Sequence, residues 1–120
     1  MMTTTTMAPL TSVSEIDRAL ADSSQRPVLI FKHSPTCGIS AQAYDEIESV
    51  LMTNLHADAY VVNVWTARTV SNALAARLRT RHESPQVLLV RDGCVVWSAS
   101  HFRVTAHAIR SALMNFATTA

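Results

Sequence analysis

Cys37-Gly38-Ile39-Ser40 is the segment of this chain with the plainest chemical content. It follows the polar turn His33-Ser34-Pro35-Thr36 and puts a thiol where a helix is expected to start. The unpaired N–H groups of a first helical turn carry partial positive charge and stabilise an anion there. A thiolate is the species that attacks disulfides, so Cys37 is expected to ionise below the free value of ~8.5. A cysteine packed merely as a small hydrophobe fits less well. Cys37 follows a polar turn and lies off the apolar stripe Ile39, Ala43, Ile47, Val50 and Leu51 behind it. With Ser40 in place of a second cysteine, no internal disulfide can release a bound thiol, and a mixed disulfide on Cys37 must be resolved from outside. The Ser40 hydroxyl either donates to the Cys37 thiolate or caps the helix start.

The elements needed to position this thiol are legible around it. Ser12-Val13-Ser14-Glu15 has the spacing of a capping box, opening a short helix to about Asp22. Val28 to Phe31 is a solid apolar run, as in a central parallel strand covered on both faces. The long helix after Cys37, a strand over Ala59 to Trp65, a helix capped by Thr69 or Ser71, and a strand over Val87 to Val90 follow. Asp92-Gly93 marks a hairpin to a strand from Cys94 to Trp97, and Val104-Thr105 starts a last helix. The order α-β-α-β-α-β-β-α predicts an α/β, thioredoxin-like domain with a central four-stranded mixed sheet flanked by helices on both faces. The domain is expected over residues 11–120, after a disordered Thr-rich leader over 1–10.

In such a fold reactive groups gather beyond the carboxyl end of the strand that precedes the helix. Ser84-Pro85 would lie beside the cysteine loop, and the topology predicts a cis bond there that exposes the Ser84 backbone to an extended thiol substrate. His33, Arg68 and His101 are expected to line one pocket with Cys37, where they would suit an anionic thiol ligand. His56, His82 and His107 have no such argument. Cys94 is not a resolving thiol. Five residues of strand from Pro85 to Val90 span ~17 Å, and a disulfide needs Cα atoms within ~7 Å.

Composition excludes much else. The chain has 120 residues, 48% hydrophobic and 16% charged, enough for one real core. A net charge of +1 shows no basic surplus for nucleic acid. Two glycines rule out Gly-rich phosphate cradles, and two cysteines rule out a disulfide framework or a four-cysteine zinc site. No His or Cys spacing resembles a closed metal site, so no metal is expected. The opening residues lack the charged and apolar regions of a secretory signal, and no apolar run approaches the ~20 residues of a spanning helix. A cytoplasmic monomer with reduced thiols, without membrane or nucleic-acid partners, is expected.

Five separated segments carry a resemblance: Phe31-Lys32-His33-Ser34, Thr36-Cys37-x-Ile39-Ser40, Val70-Ser71-Asn72, His82-Glu83-Ser84-Pro85-Gln86, and Val96-Trp97-x-x-Ser100-His101. Together they resemble the monothiol bacilliredoxin family over about residues 11 to 116. The resemblance implies a thioredoxin-like fold and removal of bacillithiol from protein mixed disulfides. Cys37 would attack the bacillithiol sulfur, free the client protein and be left bacillithiolated, until bacillithiol or another low-molecular-weight thiol regenerates it. Thr36, Gly38, Ser40, Ser84 and Pro85 would support it. The loop Cys-Gly-x-Ser also resembles that of monothiol glutaredoxins, which implies an iron–sulfur cluster shared by two subunits as one alternative. A non-catalytic thioredoxin-like binding module is the other.

Overall fold

Apolar residues on both faces of one strand need a layer of helices above and below, and the computed structural model, described for residues 6–53 and 57–116, is built that way. Val28–His33 (β2) is the middle strand. Leu29 and Phe31 pack into a core formed with Gly38–Leu51 (α2) and Ala106–Asn115 (α4). Val28 and Ile30 point the other way, into a core formed with Val13–Asp22 (α1) and Arg68–Leu78 (α3). This is the two-residue alternation of a pleated strand.

The sheet has five strands, not the four expected. Its order is β1-β3-β2-β4-β5, with Ala8–Pro9 (β1), Asp58–Asn63 (β3), Gln86–Arg91 (β4) and Cys94–Ser100 (β5). β1, β3 and β2 are parallel, while β4 runs antiparallel to both β2 and β5. The added strand falls inside the stretch assigned to the leader. Ala8 and Pro9 pair with Tyr60 and Val61, and Leu10 is buried. A two-residue edge strand containing proline has no alternation to reveal it. Residues 1–5 of that leader lie outside the described residues, as do His56 and residues 117–120 of the expected domain.

Local chemistry sets the element ends. The capping box is present: the Ser12 hydroxyl accepts from Glu15 N at 3.3 Å, and Ser12 N donates to the Glu15 carboxylate at 3.0 Å. α3 starts ahead of both caps expected for it, with Thr69 and Ser71 inside the helix. The Asn63 side chain accepts from Trp65 N and Thr66 N, turning the chain at the end of β3 before either hydroxyl is reached. At the hairpin, Asp92 and Gly93 have φ of 51° and 75°, the left-handed pair a tight turn between twisted strands requires. The turn docks on α1's end, with Gly93 N donating to Ser23 Oγ at 2.9 Å. Among the described residues, no helix is long and apolar enough to cross a membrane.

At Gly93 a Cβ would meet nothing within 4 Å, so only the backbone opposes a side chain there. Gly93→Ala is therefore expected to lower stability by about 1–2 kcal/mol, read by urea denaturation, while leaving Cys37 chemistry unchanged at the opposite end of β4.

Candidate active site

β2 ends at His33, and Ser34-Pro35-Thr36 turns the chain into α2 with Cys37 as the residue capping its N-terminus. Cys37 N donates to Ser34 O at 3.1 Å, closing the turn, and the Cys37 side chain makes no capping bond. The half-buried thiol is thus unreserved by the helix it precedes. It opens into a cleft of about 290 Å³, lined also by Ser34, Val64, Trp65, Arg68, Ser71, Asn72, His82 and Ser84. The first turn of α3 faces the same cleft, so the N-termini of two helices converge on it. That arrangement favours an anion.

Ser40 does neither of the two things expected of it. Its side chain is fully buried. The hydroxyl accepts from Ser34 N at 2.9 Å and lies 2.7 Å from His33 Nδ1. One lone pair takes the amide hydrogen, and the hydroxyl's own hydrogen is free to be donated to Nδ1 when the neutral ring carries its hydrogen on Nε2. Burial lowers the His33 pKa, in keeping with a neutral ring accepting that bond. Ser40 therefore ties the cysteine turn back to the end of β2.

The expected pocket of His33, Arg68 and His101 is split by the structure. Arg68 joins Cys37 in the cleft, as the first residue of α3. His33 does not. It shares a face with Phe31, whose ring it stacks on at 5.4 Å, and lies 5.2 Å from the Tyr44 ring on α2. His101 begins a single 3-10 turn, His101–Arg103, and lines a separate concavity with Ile39, Gln42, Glu46 and Phe102. Its backbone N donates to Pro85 O at 3.0 Å, so its neighbourhood touches the site through the main chain. The Ser84–Pro85 peptide is cis, and Ser84 lines the cleft with an Oγ that is buried without a partner among the described residues. Thr36 is exposed on the turn. Gly38 opens α2, and a Cβ there would meet nothing within 4 Å. Cys94 is exposed at the far end of the hairpin.

Reading the sequence alone missed His82 and Lys32. The Lys32 amine, fully buried, lies 3.1 Å from His82 Nδ1, and Ser71 Oγ lies 3.3 Å from the same nitrogen. Burial pushes Lys32 down to about 8. The His82 pKa is lowered first by desolvation, then by the nearby charges of Lys32 and Arg68, with Glu83 opposing. One signal was available: Lys32 interrupts an apolar run at a position in phase with Val28 and Ile30, so it points into the α1–α3 core.

Residues 8–109 match the protein family described as monothiol bacilliredoxin BrxC. Among solved structures, a candidate oxidoreductase with a thioredoxin fold superposes with a TM-score of 0.80 at 29% identity, over 88% of this chain and 92% of that one. A mutant thioredoxin from Halobacterium salinarum NRC-1 gives 0.78 at 14% identity, over 100% and 98% of the two chains. The thioredoxin of Malassezia sympodialis gives 0.78 at 11%, over 98% and 96%. The two thioredoxins speak for the fold alone.

Ser40→Ala leaves the Ser34 N–H and the His33 ring without their partner. It is expected to destabilise the fold by about 1–3 kcal/mol, measured by chemical denaturation. Lys32→Met should do the reverse at neutral pH. Below about 8 the amine is charged in both folded and unfolded chains, and the folded state bears the full burial penalty. Above the ordinary value of 10.5 it is neutral in both, and the penalty is gone. The expected gain for Lys32→Met is therefore about 1–3 kcal/mol near neutral pH, fading as pH rises through that window, as thermal melts across pH would report.

Proposed function

The chain belongs to the monothiol bacilliredoxin family, and on that premise we propose that it removes bacillithiol from protein mixed disulfides through Cys37. The observation that carries this reading is the position of the thiol. Cys37 caps a helix N-terminus without an internal bond, opens into a cleft, and has a buried serine where a second thiol would stand.

The Cys37 thiolate attacks the bacillithiol sulfur of the client's mixed disulfide. The client sulfur leaves with the electron pair, and bacillithiol is left on Cys37. Attack at that sulfur rather than the client's is favoured by the cleft, which offers a small anionic thiol Arg68 and two helix N-termini. The protein sits on the outer side of the same bond. Because Ser40 cannot close a disulfide, the adduct persists until a second thiol, bacillithiol or another low-molecular-weight thiol, attacks it. The chain acts as a monomer in the cytoplasm, where such thiols are kept reduced.

Intact-mass spectrometry of the reduced protein after mixing with bacillithiol disulfide, and separately with glutathione disulfide, tests the reading. One bacillithiol adduct is expected on the wild type and on Cys94→Ser, none on Cys37→Ser, and less from glutathione. No adduct on Cys37 from either disulfide would refute it.

A further inference from the structure

Lys32 is the only ionisable side chain among the fully buried described residues. Its amine has a single side-chain partner, His82 Nδ1, and no carboxylate pairs with it among the described residues. A buried amine without a counter-charge opposes folding, and an aliphatic side chain would fill the space between Val28, Ile30 and α3 without that penalty. Stability does not account for its presence. Its one contact leads outward: the exposed His82 lines the cleft that holds Cys37. Besides Lys32, the ring is faced by Arg68 and Ser71 from α3 and by Glu83 next to it in the chain, with Cys37 lining the same cleft.

We propose that Lys32 and His82 form a proton relay for the sulfur chemistry at Cys37. His82 exchanges the proton in the cleft, and Lys32 is the positioning residue and proton reserve behind it. The proposal rests on thiol exchange at Cys37 as the activity. The amine donates to Nδ1, so the neutral ring carries its hydrogen on Nε2. When the Cys37 thiolate attacks, a bond forms to the small thiol's sulfur, the client's S–S bond breaks, and its electron pair leaves on the client sulfur. That sulfur takes the Nε2 proton, Nδ1 takes one from the Lys32 ammonium, and Lys32 becomes a neutral amine. In the second half the incoming thiol gives its proton to Nε2, and Nδ1 returns one to Lys32. The new thiolate attacks the small thiol's sulfur on Cys37, and Cys37 leaves as a thiolate. The client sulfur is reduced, the incoming thiol is oxidised, and one proton passes between them. Burial brings Lys32 down to about 8, toward neutral pH, where a proton donor is efficient, while burial and the Lys32 charge lower the His82 pKa and keep its ring neutral between transfers.

The test is the neutral-pH rate at which reduced Cys37, in a Cys94→Ser background, opens an alkyl disulfide (hydroxyethyl disulfide) and an aryl disulfide (dithiodipyridine), comparing Lys32→Met and His82→Gln with the parent. Neither probe contains bacillithiol, so the outcome is independent of whether bacillithiol is the substrate. The alkyl sulfur leaves as a base that takes the relay's proton, whereas the aryl sulfur leaves readily without one. With the relay cut, both variants are expected to open the alkyl disulfide at least about tenfold more slowly and the aryl disulfide at the parent's rate. Alkyl rates that match the parent's, an equal loss with both probes, or a change in only one of two cooperatively melting variants overturn the relay. His82 is exposed, so if Lys32→Met fails to melt cooperatively, His82→Gln alone decides, and a parent-like alkyl rate refutes the proposal.

Discussion

The hydroxyl of Ser40 joins the end of β2 to the first turn of α2, and the geometry of the thiol depends on that tie. It accepts from Ser34 N at 2.9 Å and reaches His33 Nδ1 at 2.7 Å, so both residues that leave the strand are held by one buried group. The turn between them has nowhere to go but into the helix that Cys37 caps. A second cysteine at that place would give a dithiol site. A hydroxyl instead makes a structural clamp, leaving one sulfur as the only redox-active atom in the cleft. The monothiol character and the rigidity of the loop are two results of one residue.

The same strand settles which neighbours the thiol has. Alternation sends His33 to the α2–α4 side, against Phe31 and Tyr44, and Lys32 to the α1–α3 side, toward Ser71 and His82. The cleft lies on the second side. Two basic residues adjacent in sequence are thereby given opposite duties: one is a neutral packing ring, the other a buried amine that communicates with the cleft. An amine held without a carboxylate opposes folding, and stability conceded near a reactive sulfur is what sites built for chemistry display.

Much of this was legible in the residues. Periodicity placed the helices, the apolar run of β2 announced a strand buried on both faces, and the thioredoxin-like order followed. Cys37 and the topology beside Ser84-Pro85 followed from the same order. The additional strand was not legible, since Ala8 and Pro9 offer too few residues for a pattern and find their place only by pairing with β3. The start of α3 was not legible either, because an asparagine side chain, Asn63, turns the chain before Thr69 or Ser71 is reached. The pocket divides for a simpler reason. His33, Arg68 and His101 share one end of the sheet, but His33 presents the other face and His101 a separate concavity. Counting in twos along β2 separates His33 from the cleft and brings Lys32 toward it. His82 had no such handle, because it lies in an irregular loop where neither period applies.

The central claim is that Cys37 takes a small thiol from a protein's mixed disulfide, leaving the protein free. A single-turnover reaction measures this most directly: a bacillithiolated client protein is mixed with excess reduced chain, quenched with acid, and both proteins are weighed intact. The account predicts that the client loses one bacillithiol while Cys37 gains it, at matching rates, with no client–Cys37 disulfide accumulating. A client that keeps its bacillithiol, or that is found covalently joined to Cys37 with bacillithiol released, would contradict it.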